Sequence, residues 1–215
     1  MDWAQFVLGV SSTILSTFVG ASAAFHLERK QKKDDLIKMR VEIANRALFT
    51  LNRQLGILRG IRNQVINSVP NDSMRWITMP AWLPRNYDHL RFNIGELAFL
   101  FDSKDPNVLN DIMLEEDRFF EAINTLNERS HYHRVELQPL LVRLGIQNNA
   151  AYIVGELEEK LGHDVVGNMK TLTQALSEHV PEGMEGIRNI YDKLRAILVE
   201  LLPEEKIIKL QFPAD

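Results

Sequence analysis

The chain has 215 residues, 45% of them apolar and 25% charged, with a formal net charge of −4 at pH 7, which suits one globular domain with an appendage. It contains no cysteine, so disulfides, thiolate zinc sites, iron–sulfur clusters and cysteine nucleophiles are excluded. The net charge hides an asymmetry, because residues 28–91 carry 13 Lys and Arg against 6 Asp and Glu, whereas residues 92–215 carry 12 against 22. A basic proximal half suits anionic lipid, and an acidic distal half suits solvent or a basic partner.

From Trp3 to Leu27 there are 25 consecutive residues without Asp, Glu, Lys or Arg, against roughly 20 needed to cross a hydrocarbon core of about 30 Å. A cleaved export signal, a buried core helix and a membrane span share this pattern, and the flanks separate them. Ala21-Ser22-Ala23 has the form of a cleavage site, but an export signal carries positive charge ahead of its apolar region, where this chain has only Asp2. Arg29, Lys30, Lys32 and Lys33 follow the run instead, a position that suits anionic lipid and holds their side in the cytoplasm. The expectation is therefore a single transmembrane helix over residues 1–27 in a cell membrane, N-terminus outside and C-terminal domain cytoplasmic.

Within that run Ser12, Ser16, Gly20 and Ala24 recur at every fourth residue. A ridge of small residues lets two helices approach closely in lipid, with hydroxyls bonding across the contact, and the expected consequence is a homo-oligomer. Past the cations, Ile37, Val41, Ala44, Leu48, Leu51, Leu55, Leu58 and Val65 fall on alternating steps of four and three, a heptad-like helical seam over residues 28–67. Ile43, Ala47, Ile57 and Ile61 widen it beyond a two-stranded coiled-coil seam, which favours a bundle. No proline precedes Pro70, so span and seam are compatible with one long helix, with Gly56 and Gly60 as its expected bends.

Residues 68–92 break the pattern with Pro70, Pro80 and Pro84. This connector holds Trp76, Trp82, Tyr87 and Arg85, the residue types of binding hot spots, and they are the candidate partner-binding residues; the plainer alternative has the aromatics folded back onto the bundle. Residues 93–215 read as an acidic set of helices packing on residues 28–67: a short one over 94–101, one capped by Asp105-Pro106 and interrupted by Pro139, then helices near 150–161, 165–179 and 184–202. The Leu109, Ile112, Phe119, Ile123, Leu126, Leu137, Leu141 and Leu144 series sets the buried side of the middle helix. The segment KIIKLQF suits a short strand or an extended run.

No phosphate-binding, dinucleotide, nucleophile-elbow or metalloprotease motif is present. Glu128 and His131 form one E-x-x-H pair, a weak metal candidate, since di-metal bundles need two such pairs and two further glutamates. No cofactor is expected. Arg40, Arg46, Arg53, Arg59 and Arg62 flank the seam but lack a domain-wide basic footprint, so nucleic acid is not an expected partner. The reading that results is an all-α chain, a single transmembrane helix followed by a cytoplasmic helical bundle with a long first helix, acting as a self-associating scaffold or adaptor for an unidentified protein partner. A membrane-perturbing effector triggered through the bundle is the alternative, with a membrane-tethered di-metal enzyme behind it.

Overall fold

The computed structural model describes residues 3–146 and 152–211, with side chains from Ala24 onward. All regular structure among these residues is helical. The first helix, α1, runs unbroken from Trp3 to Ile61 and closes in a widened π turn over Arg62–Ile66. Gly56 and Gly60 lie within it and do not break it. A connector follows that holds one short helix, α2 (Arg75–Thr78), and 3-10 turns at Asp88–Leu90 and Glu96–Asp102. Then come α3 (Val108–Tyr132), a π turn at His133–Leu137, α4 (Gln138–Arg143), α5 (Val154–Leu161) and α6 (His163–Leu201).

The seam on α1 is what the bundle closes over. Ala44, Leu48, Leu51, Leu55, Leu58 and Val65 are all buried, together with Ile43, Ala47 and Ile61 from the widened stripe. Facing them is α6, which packs along both α1 and α3, while α1 and α3 meet each other only sparingly. Two separate apolar clusters result. The larger joins α1, α3, α6 and the later connector; the smaller gathers Trp76, Leu137, Leu141, Leu157, Leu161, Val166 and Met169 at the α4–α5 end.

Helix boundaries follow from local chemistry with some departures from expectation. Asp105 does not cap α3 at its first turn; its Oδ1 accepts the Asn107 amide at 3.1 Å, and the helix begins at Val108. Pro139 was expected to kink or interrupt the helix, and the α-helical course is interrupted there: α3 ends at Tyr132, a π turn fills His133–Leu137, and α4 begins with Pro139 in its first turn. A proline ring crowds the carbonyl four residues back and supplies no donor, and the π turn immediately ahead of it widens the backbone to absorb both faults. Pro181 was expected to separate two helices, yet α6 passes through it. An interior proline costs about 3 kcal/mol, and the surrounding Leu176, Val180, Met184 and Ile187, all buried on one side of α6, outweigh that. Gly162, with φ of 85°, takes the left-handed turn between α5 and α6 that a side chain resists.

Residues 206–211 carry no regular secondary structure and join no sheet. Side chains satisfy the backbone there instead. Asn45 donates to the Lys206 carbonyl and accepts from the Ile208 amide, Arg195 donates to the Ile208 carbonyl, and the Leu210 amide bonds to the Tyr191 hydroxyl. Ile207 is thereby buried against the main cluster.

Among the described residues no helix is long and apolar enough to cross a membrane. The expected span falls almost wholly on residues 1–23, whose side chains lie outside those described.

If α1 is the face on which the bundle closes, Leu51→Asp buries a carboxylate in the seam and should remove several kcal/mol, about 3 or more, of stability. The exposed Lys38→Ala should change it by less than about 0.5 kcal/mol. Urea melts of both variants against the parent protein provide the check.

Candidate functional site

The candidates of the N-terminal run and the cation block divide at Ala24. The side chains of Ser12, Ser16 and Gly20 lie outside the described residues, and Ala24 is exposed. Arg29, Lys30, Lys32 and Lys33 are all exposed on α1, where Lys32 pairs with Glu28 one turn back at 2.7 Å. The whole of residues 24–36 is uncovered, and α1 first meets the bundle at Ile37. Phe25 and Leu27 are 66% and 68% exposed on this bare stretch.

The connector candidates are mostly turned inward. Trp76 is buried in the smaller cluster. Trp82 and Tyr87 are half-buried against the larger one, with Tyr87 edge-on to Phe119 at 6.3 Å between centroids. Arg85 is exposed and lies over the Trp82 ring at 5.7 Å, an arrangement that a cation and an aromatic face favour modestly at a surface. The four do not share one open surface. Glu128 and His131 are both exposed on α3, and no group of three or more metal-ligating side chains occurs among the described residues.

What the structure adds is a polar stripe on α3 that binds the connector through its backbone. Arg129 is fully buried. Its Nε donates to the Thr173 hydroxyl at 2.9 Å, its Nη1 to the Pro80 carbonyl at 3.1 Å, and its Nη2 to the Met79 and Trp76 carbonyls at 2.8 and 3.2 Å. None of these partners is a carboxylate. The guanidinium therefore stays cationic on neutral acceptors alone, and burial pulls its pKa down to about 10, still far above neutrality. One residue on, the Ser130 hydroxyl accepts the Trp82 amide at 2.9 Å, and Arg134 donates to the Trp82 carbonyl at 2.7 Å.

Farther up the same helix Glu116 accepts the Phe92 amide at 2.5 Å. Arg91 approaches that carboxylate at 4.0 Å and stacks over Phe120 at 3.8 Å. Burial raises the Glu116 pKa, and the Phe92 amide works against the rise. From α1, Gln54 reaches across to the Leu90 carbonyl at 3.0 Å. A long irregular segment carries many backbone groups that regular structure would have paired; here side chains from α1, α3 and the π turn that follows α3 pair them.

A second polar feature lies between α3 and α6. The Glu115 carboxylate rests on Gly186, so closely that a Cβ there would stand 1.8 Å from its Oε2. A side chain there would require the Glu115 carboxylate to move. Arg118 donates to the other oxygen at 2.7 Å. Burial raises the Glu115 pKa, opposed by Arg118. Beside it Lys193 bridges Asp105 and Asp111 at 2.7 and 2.6 Å, fastening the start of α3 to α6.

Sequence reading overlooked Arg129, although a signal was present. The apolar series on α3 passes from Leu126 to Leu137 with the intervening turns unfilled, and the core-facing places there belong to Arg129, Ser130 and His133, all buried. A gap in an otherwise regular stripe marks where polar side chains face inward. Compared with known proteins, the chain matches no family model, no curated protein and no solved structure.

Replacing Arg129 by Met keeps the bulk of the side chain but leaves three buried carbonyls and a hydroxyl without their donor. At about 1–3 kcal/mol for each unsatisfied group, partly recovered by water entry, the expected loss is about 3 kcal/mol or more. The loss should be local as well as global. Amide exchange at residues 76–82 should accelerate by more than at the α1 seam, as read by hydrogen-exchange mass spectrometry.

Proposed function

We propose that this chain is a single-pass membrane protein whose helical bundle serves as a cytoplasmic interaction module, self-associating through the membrane-spanning part of α1. The observation that carries the proposal is the course of α1 itself. Residues 24–36 lie outside the bundle with nothing covering them, and they join the uncharged run directly to the bundle without a break in the helix. An isolated helix of this kind is marginal in water, so this stretch calls for an environment the bundle does not provide. A bilayer meets that need for the apolar part, and the headgroup layer meets it for Arg29, Lys30, Lys32 and Lys33.

From Leu27 to Ile37 is ten residues, about 15 Å of helix at 1.5 Å per residue. On this proposal the bundle is held off the membrane surface by a rigid spacer. Rigid presentation suits an adaptor, since it fixes the orientation of the bundle relative to the membrane and to a second copy. The lack of a phosphate-binding or nucleophile motif in the sequence agrees with a binding role. Self-association rests on the ridge of Ser12, Ser16, Gly20 and Ala24, where close helix approach is worth only about 1 kcal/mol per hydrogen-bonded contact. The oligomer is accordingly expected to be sensitive to dilution.

Topology and association are tested together. Full-length protein should remain with membranes after alkaline extraction, and a reporter fused after Asp215 should work only on the cytoplasmic side. Gly20→Ile should leave insertion intact and shift the protein towards monomer in a transmembrane association assay, with Ile14→Ala as the neutral control. Release of the parent protein by alkali, or a reporter active only outside, would refute the anchor. Equal association in all three chains would refute the ridge.

A further inference from the structure

The smaller apolar cluster borders a half-open space that its own side chains do not fill. Between α2, the connector that follows it, and α4–α5 lies a cavity of about 460 Å³. Met74, Ile77, Met79, Leu141 and Leu157 supply most of its apolar wall, and His133 and Gln138 stand in it as polar groups. A space of this size, largely apolar and with a few convergent polar side chains, has the character of a small-molecule site.

The polar side of the cavity has a definite sign. His133 is 8% exposed, and beyond its approach to the Ile77 backbone its Nδ1 has no hydrogen bond of good geometry. Gln138 lies 3.4 Å from the other ring nitrogen. Burial, and after it the charge of Arg129, press the His133 pKa below its ordinary value, with only a backbone contact to Ile77 and no carboxylate opposing them. The neutral form of the ring is thereby favoured. Behind the wall formed by Met79 and Pro80 sits the Arg129 guanidinium, bonded to the carbonyls of both. Arg134, on the turn that carries His133, adds a second positive charge that also lowers the His133 pKa. In a space of low dielectric such charges attract an anion and repel a cation.

We propose that this cavity binds a small amphipathic carboxylic acid, its apolar body among Met74, Ile77, Met79, Leu141 and Leu157 and its carboxylate on the side of His133 and Gln138, in the field of Arg129. The walls that meet there come from the connector and from α4–α5, so an occupant bridges these segments. Binding at this place stabilises the same connector that Arg129 fastens. The proposal is independent of the membrane anchor, because every group it uses lies in the bundle.

The test uses the full-length chain in mild detergent, titrated with phenylbutyrate by isothermal titration calorimetry, with detergent alone as the blank. Phenylbutanol serves as the neutral analogue. The acid should bind saturably at one site, and the alcohol at least about tenfold more weakly. Leu141→Trp, which fills the cavity from within, and Ile146→Trp, which fills it from its edge, should each abolish binding while the helical circular dichroism is retained; the second variant serves if the first fails to fold. His133→Phe should weaken the acid by about tenfold and leave the alcohol nearly unchanged. Absence of saturable binding to the parent chain, equal affinity for acid and alcohol, or binding intact in a folded Trp variant would each overturn the proposal.

Discussion

Continuity of backbone hydrogen bonding along α1 is the constraint from which the rest of the molecule follows. A helix without a break from Trp3 to Ile61 transmits orientation along its whole length, about 90 Å at 1.5 Å per residue. Its C-terminal half carries the seam of Ala44, Leu48, Leu51, Leu55 and Leu58, which decides where α6 lies and, through α6, where α3 lies. Residues 24–36 of the same helix are exposed, and Ile37 is where the bundle begins to cover it.

The connector presents the opposite problem, a long stretch with few backbone bonds of its own. Arg129, Ser130, Arg134, Glu116 and Gln54 supply them from the helices. A buried guanidinium on neutral acceptors is a costly way to hold a loop, since desolvation of the charge is recovered only by hydrogen bonds. It is also a directional way, because a planar fork of donors fixes several carbonyls in one arrangement. That arrangement brings Met79 and Pro80 to the wall of the cavity and leaves an uncompensated positive charge behind them. On the proposed reading, the feature that orders the connector is also the one that selects an anionic occupant.

The helical class and the α1 seam were legible because apolar spacing is a direct imprint of one-sided burial: Ala44, Leu48, Leu51, Leu55 and Leu58 are all buried, while Ile57 of the widened stripe is half-buried. The α3 series held as far as Leu141, while Leu144, expected on the same side, is 43% exposed just beyond the end of α4. Proline was the less faithful signal. Pro139 and Pro181 carry the same local penalty, yet the first interrupts the α-helical course at a π turn, as expected, and the second is absorbed by packing around α6, which local sequence does not show. The connector aromatics were legible as residues with two possible fates, and only tertiary context distinguishes a buried Trp76 from an exposed anchor. Arg129 left its trace as a gap in a pattern, and Gly186 left none, since its role depends on a carboxylate 71 positions earlier.

The proposed function requires that one rigid helix carry a membrane anchor into a cytoplasmic bundle. Its most direct measurement is an accessibility scan by electron paramagnetic resonance, with single spin labels at successive positions from Val10 to Leu48 in full-length protein reconstituted into liposomes. The account predicts preferential access of oxygen up to about Leu27, preferential access of a polar nickel reagent over residues 28–36, and from Ile37 onward exclusion of both reagents on one helical face, all on a single unbroken helical period. Access of the polar reagent from the first position onward, or a period that resets between Leu27 and Ile37, would contradict it.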